Sequence, residues 1–233
     1  MMDDLIIYYI NLKKDIERNL KIKNTLDKLN IKYERIEGIN GSDINIEKKY
    51  TIIHCNKFPM TKGQYGCYLS HIKCYKKFIE SNYKYLIILE DDVILHDNFK
   101  SSITYLFNNY YKLIQKKKKI DFIYLSRSNV IKTQYEVNND YFNDDFIYSP
   151  KICGYGFHSY FLTIKGAKKL LNIINDAKIH YDKYDLFVPI DVLDTWYNFG
   201  KTNKNNKIIL NIYALKKMIS YAGTMGSNTD NII

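Results

Sequence analysis

Two apolar runs set the frame of this chain: LIIYYIN at residues 5–11 and YLIIL at residues 85–89. An unbroken run of this kind reads as a strand covered on both faces, because packing from two sides demands apolar residues at alternate and intervening positions alike. After the first run the period changes. Ile22, Leu26 and Leu29 recur at helical spacing, and Asp15 stands where a helix N-cap is expected. Residues 31–38 (IKYERIEG) predict a second strand, ended by a turn at Asn40-Gly41, and residues 42–62 carry no period. Residues 64–80 predict a helix with Tyr68, Ile72, Tyr75 and Ile79 on its inner stripe. Phe99, Ile103, Leu106, Tyr110 and Leu113 predict another, with Asp97 as its N-cap. DFIYLS at 121–126 predicts a further buried strand. Strand and helix alternate throughout, the order of an α/β fold with a mostly parallel central sheet flanked by helices.

The later part is less regular. Residues 158–164 (HSYFLTI) predict a strand and 166–174 (GAKKLLNII) a helix behind it. Pro189 marks the start of a helical segment over 188–200. Residues 207–215 (KIILNIYAL) predict a late strand. With three prolines and no Ser/Gly-rich linker, the 233 residues are expected to form one domain, a regular half over 1–130 and a mixed half over 131–233.

Charge narrows the class of partner. The net charge of +10 points to something anionic: nucleic acid, an acidic membrane surface or a phosphorylated small molecule. The basic residues are dispersed, however, and the one dense run, Lys116–Lys119, reads as a solvated turn. A nucleic-acid binder needs clustered Lys and Arg with exposed aromatics, so no nucleic-acid partner is expected. No run approaches the length of a transmembrane segment, and the acidic start MMDD lacks the features of a secretory signal. The expectation is a cytoplasmic chain, with a peripheral place at a membrane surface as the alternative. The four cysteines form no CxxC pair and read as reduced, mostly buried thiols. The sequon Asn40-Gly41-Ser42 would matter only in a secretory lumen.

The chemistry gathers where the second apolar run ends. Glu90, Asp91 and Asp92 follow YLIIL directly. Ligands of open α/β sheets sit outside the carboxyl ends of the strands. In extended backbone Glu90 and Asp92 share a side and Asp91 takes the other. Two carboxylates that close repel unless a proton or cation lies between them. Mg2+ or Mn2+ meets that need, being bound through one or two carboxylates together with substrate phosphates. The plain alternative is a solvated strand end.

Several segments recur in one order: IYYINLKKDIERN, IEGINGSDI, GQYGCYLSHIKCYKKF, YLIILEDDVIL, GYGFHSYFLTIKGAKKLL and PIDVLD. Together they resemble glycosyltransferase family 25, the family of lipooligosaccharide β-galactosyltransferases and collagen galactosyltransferases, over about residues 4–230. GCYLSH followed by EDDV is the most specific part. The resemblance implies a GT-A-like fold, with the first half binding a nucleotide sugar and the second facing the acceptor. It implies inverting transfer of galactose or glucose from a UDP-sugar to a hydroxyl of a glycan, a lipid-linked glycan or a protein, as in lipopolysaccharide biosynthesis.

The same resemblance assigns roles. Asp92 would ligate Mn2+ or Mg2+, with Glu90 beside it and Asp91 in the same nucleotide motif. Arg18 would contact the nucleotide, and Ser70 and His71 would belong to the donor pocket. An inverting transferase needs a general base on the acceptor side. Asp191 is expected to be that base, with Asp194, one helical turn on, as the second candidate. Trp196 is a candidate for stacking on a sugar ring or for a core anchor, and Tyr155, Gly156 and His158 lie before a strand near the expected ligand. Asn40 stands where the family has Asp before Gly. The stretch SNTDNI, with Ser227 and Asp230, matches the family's late motif loosely, and no histidine follows His180 to serve as a late ligand, so the third protein ligand is open. Two other readings stand beside this one: an inactive transferase-like interaction module, and a nucleotidyltransferase, which would need a second acidic cluster.

Overall fold

The structure, a computed structural model, describes residues 2–44, 51–52, 61–115, 119–126, 147–148, 158–182, 186–187, 210–215 and 217–223. Its strands are β1 (Leu5–Asn11), β2 (Tyr33–Glu37), β3 (Thr51–Ile52), β4 (Tyr85–Glu90), β5 (Val93–Leu95), β6 (Phe122–Tyr124), β7 (Ile147–Tyr148), β8 (Ser159–Thr163), β9 (Leu186–Phe187), β10 (Ile212–Leu215) and β11 (Ser220–Ala222). The helices are α1 (Ile16–Leu29), α2 (Lys62–Glu80), α3 (Phe99–Gln115) and α4 (Ile164–Asp182).

Seven strands form the central sheet in the order β2-β1-β4-β8-β6-β10-β7. Strands β2, β1 and β4 are mutually parallel, and β6 and β10 run the same way. β8 lies antiparallel between β4 and β6, and β7 is antiparallel at the edge. The sheet is therefore mostly parallel in direction, with one reversed strand at its centre.

The alternation in β1 explains its composition. Leu5, Ile7 and Tyr9 pack with Ile22 and Leu26 of α1 and with Phe99, Ile103, Leu106 and Phe107 of α3. Ile6, Tyr8 and Ile10 pack on the other face with Tyr68, Cys74, Tyr75 and Phe78 of α2 and with Ala167, Leu170 and Ile174 of α4. Both faces are covered, so the strand has no polar position until Asn11. Each such side chain contributes about 1.5–3 kcal/mol by leaving water.

Three local expectations need correction. Asp15 occupies the N-cap position of α1, but its side chain makes no capping hydrogen bond. Helix α3 begins at Phe99, two residues beyond Asp97, with Phe99 N–H donating to His96 O. On α2 the buried face is turned from the expected stripe. Ser70, His71, Cys74, Tyr75 and Phe78 are buried, while Ile72 and Ile79 are only partly so. The reason is that Ser70 and His71 find polar partners inside, which an apolar count cannot register. The start of α2 is set by a capping box: Thr61 Oγ1 accepts from Gln64 N–H, and Gln64 Oε1 accepts from Thr61 N–H.

A short ribbon pairs β5 with β11 directly after the acidic turn, and Gly223 N–H donates to Asp92 O at 2.8 Å. At the amino end of β6, buried Asp121 ties the late strand down. Its Oδ2 accepts from Asn211 N–H at 2.9 Å, from Asn211 Nδ2 at 2.8 Å and from Lys169 Nζ. Asp121→Ala is expected to cost about 3 kcal/mol, since hydrogen bonds involving a charge are lost from a buried place. A denaturant melt should show the loss. The site lies at the other end of the sheet, so donor affinity of the folded variant should be unchanged.

Candidate active site

Parallel pairing of β1 with β4 puts Ile10 opposite Glu90, so both strands deliver their carboxyl ends to one place. Asn11 is the fixed point there. It is 1% exposed, and its Nδ2 donates to Asp15 O at 3.0 Å and to Asp91 Oδ2 at 2.7 Å. Its Oδ1 accepts from Arg35 Nε at 2.9 Å. Arg18, in the first turn of α1, reaches Asp91 Oδ1 at 3.3 Å. Burial raises the Asp91 carboxyl above its usual range, against the pull of Asn11 and Arg18. Asp91 thus faces α1.

Glu90 faces α2. Its Oε1 lies 3.2 Å from His71 Nε2 and accepts from the Cys67 thiol at 3.5 Å, while its Oε2 lies 3.3 Å from His158 Nδ1. Behind it His71 is fully buried, with Nδ1 at 2.6 Å from Tyr160 Oη, which in turn lies 2.8 Å from Tyr75 Oη. Burial raises the Glu90 carboxyl, but hydrogen bonds and charge from His158 and His71 more than offset it and hold the group well below the usual range. Glu90 is therefore ionised.

Asp92 has no such support. Its Oδ1 is buried and has no hydrogen-bond partner. Burial and then the charge of Glu90 push its carboxyl up to about 6. Donor atoms of Glu90, Asp92 and His158 all lie within 4.8 Å of one another. Ligands across one ion with bonds of about 2.2 Å are separated by about 4.4 Å. An orphaned carboxylate oxygen beside a second carboxylate and an imidazole is what a divalent cation would satisfy, so the residues present fit one.

The cleft in front of these groups holds about 190 Å3. Asn11, Lys14, Arg18, Asn40, Ser42, Lys62, Cys67, Ser70 and the three acids line it. Its far wall is set by close backbone packing. A Cβ on Gly66 would stand 2.4 Å from Ile39 O and 2.6 Å from Gly41 N, and one on Gly41 would stand 1.5 Å from Lys62 O. Ser70 completes the joint, its Oγ donating to Gly66 O at 2.7 Å and accepting from Ile39 N–H at 2.8 Å. Gly66→Ala is expected to push the 39–43 loop off α2, costing about 2 kcal/mol and weakening any ligand bound between them. Thermal melting and nucleotide titration read the two effects.

The structure brings Arg18, Ser70, His71, Glu90, Asp91 and Asp92 to this one place. Asp191, Asp194, Tyr155, Gly156, Trp196, Ser227 and Asp230 lie outside the described residues. The sequence marks His158 only as a residue near the expected ligand, without a ligand role, and does not mark Asn11. The only signal for Asn11 is a polar residue closing an apolar run. His158 reaches the acids through strand pairing, its carbonyl accepting from Glu90 N–H at 2.9 Å. Among the described residues no helix is long and apolar enough to cross a membrane.

Comparison with known proteins gives the family of the chain. The family model described as glycosyltransferase family 25 (LPS biosynthesis protein) matches residues 4–186. A glycosyltransferase 25 family member of Anopheles gambiae is 27% identical over 179 residues, covering 71% of this chain and 28% of the relative. Procollagen galactosyltransferase 1-A of Xenopus laevis is 29% identical over 198 residues, covering 79% and 30%. The matches to these two relatives thus span under a third of the relatives' length. A crystal structure of a glycosyltransferase involved in glycosylation of the major capsid of PBCV-1 aligns with 96% of this chain and 94% of its own, at 10% identity and a TM-score of 0.43. With the family model covering most of the sequence, from β1 through the acidic turn to β9, the chain belongs to glycosyltransferase family 25.

Proposed function

We propose that this chain transfers a hexose, galactose or glucose, from a UDP-sugar to a hydroxyl of a glycan, a lipid-linked glycan or a protein, with inversion at the anomeric carbon. The observation that carries the reading is the cleft at the carboxyl ends of β1 and β4, where Glu90 and Asp92 meet below a rim of Lys14, Arg18 and Lys62. The cations of the rim attract a diphosphate, and Arg18 is held in place through Asp91. Family membership and the galactosyltransferase names of several relatives favour this class of reaction.

Glu90 and Asp92 would hold Mn2+ or Mg2+, whose charge would stabilise the departing UDP. His71 and Ser70 act one step behind the donor: His71 fixes the orientation of Glu90, and Ser70 fixes the 39–43 loop. Asp191 takes the proton of the acceptor hydroxyl as its oxygen attacks the anomeric carbon and the bond to the diphosphate breaks. The products are a glycoside and UDP. Asp194 is the second candidate for that proton.

The test is UDP release from UDP-galactose and UDP-glucose, with Mn2+ and with EDTA, against glycan and hydroxylated peptide acceptors. Metal-dependent release that an acceptor accelerates supports the reading. Pyrophosphate release from a nucleoside triphosphate, or no turnover with any UDP-sugar, overturns it.

A further inference from the structure

We infer that His158 is the third protein ligand of the cation site, and that its imidazole makes the site selective for a first-row transition ion over Mg2+. The inference deepens the proposed function, on which it rests for its purpose; the ligand set itself stands on the arrangement of side chains.

Three observations lead there. First, the donor atoms of His158, Glu90 and Asp92 lie mutually within 4.8 Å, so one ion can touch all three with small side-chain adjustments. Second, His158 is held at the site by backbone. It stands immediately before β8, which runs antiparallel to β4 with Leu89 opposite Ser159, and its carbonyl accepts from Glu90 N–H. The pairing fixes its Cα beside the acids, and the contact of Nδ1 with Glu90 Oε2 at 3.3 Å turns the ring toward them. Third, the orphaned oxygen of the site belongs to Asp92, whereas Glu90 is already well supplied with partners. An ion placed among the three groups would satisfy that oxygen.

The other imidazole at Glu90 is a poorer candidate. His71 has both ring nitrogens engaged, one with Tyr160 and one with Glu90, and no exposed surface. His158 has a side chain 24% exposed, and its Nδ1 lies 3.3 Å from the other oxygen of the same carboxylate. The two histidines thus divide the work: His71 orients Glu90 from within, and His158 meets the ion.

The consequence is ion choice. Mg2+ demands oxygen ligands in near-ideal octahedral geometry and gives up water reluctantly. Imidazole nitrogen favours transition ions, with affinity rising from Mn2+ through Fe2+ to Co2+. A two-carboxylate site would accept Mg2+ and Mn2+ on similar terms, whereas an imidazole-bearing one separates them.

The experiment needs no turnover. Mn2+ is titrated into the full chain without donor and followed by electron paramagnetic resonance, first alone and then against competing Mg2+. Pulsed measurements on the bound ion read coupling to a directly bonded nitrogen. The expected result is one Mn2+ per chain, displaced only by Mg2+ in at least tenfold excess, with a nitrogen coupling present. His158→Gln, which keeps a polar side chain of similar reach but offers an amide, should lose the coupling and bring the two ions to comparable affinity. His158→Ala should weaken Mn2+ binding about 10- to 100-fold, with circular dichroism verifying that both variants are folded. Absence of nitrogen coupling in the unmodified protein, its survival in His158→Gln, or failure of Mn2+ to bind at all would overturn the assignment. The two readings fail separately. Mn2+ bound with a nitrogen ligand but no UDP-sugar turnover would leave this site standing and remove the transferase reading. UDP-sugar turnover with an all-oxygen Mn2+ site would do the reverse.

Discussion

Asp92→Asn is expected to abolish metal-dependent donor binding and to lower turnover by about 10^3-fold or more, the scale on which loss of charge stabilisation at a leaving group is felt. The substitution removes one formal charge and almost no volume. Titration of UDP in the presence of Mn2+ reads the binding loss directly, and retained Mn2+-dependent UDP affinity in the variant would defeat the assignment. Stability should move the opposite way. In the metal-free chain the Asp92 carboxyl is raised from its ordinary 3.8 to about 6 by burial and by Glu90. A group raised in the folded state binds its proton more tightly there than when unfolded. Its effect on stability therefore turns unfavourable as pH climbs from about 4 through 6, and it stays unfavourable above. In EDTA at pH 7 the Asn variant should melt at a higher temperature than the original, and at pH 4 the gap should close. Opposed effects on function and stability are what the proposed role of Asp92 as an ion ligand predicts.

Asp191→Asn is the second large effect, and its signature is different. A base that acts only on the acceptor contributes nothing to donor binding, so UDP affinity with Mn2+ should be unchanged while transfer falls by about 10^2- to 10^4-fold. Asp194→Asn, made alongside, should retain most of the transfer rate. If the two results are exchanged, the base is Asp194; if both variants transfer normally, the proton leaves by another route. Hydrolysis of the donor by water, measured without acceptor, supplies a further check. It should persist in Asp191→Asn more than transfer does, since the charge at the diphosphate is untouched.

How much of this can be read from the residues depends on what each residue has to satisfy. β1 is legible in full because two layers press on it and every position from Leu5 to Ile10 must be apolar. The acids are legible because three carboxylates in a row, directly after a buried strand, repel one another and call for a counter-charge. The apolar stripe of α2 misplaces its inner face by about a quarter turn, for Ser70 and His71 sit inside through bonds to Gly66, Ile39, Tyr160 and Glu90. β5 and β11 are invisible in the sequence: three residues carry no period, and each exists only because the other pairs with it. Asn11 and His158 share a further difficulty. Nothing in the segment around either residue ties it to the acids, and each matters through a neighbour about 70–80 positions away, Asp91 for one and Glu90 for the other. Lone polar residues become legible only when strand order is known.

The reversed strand at the middle of the sheet bears on how the molecule comes into being. β4 gains its second neighbour only when β8 arrives, about seventy positions later in the chain, and β6 waits for the same strand. A polypeptide emerging from the ribosome with residues 1–130 complete therefore displays an open YLIILE edge, a template for wrong pairing with another nascent copy. Synthesis has to outrun that encounter, or a chaperone has to shield the edge. Slowing translation before β8 has left the ribosome should raise the insoluble fraction more than slowing it afterwards.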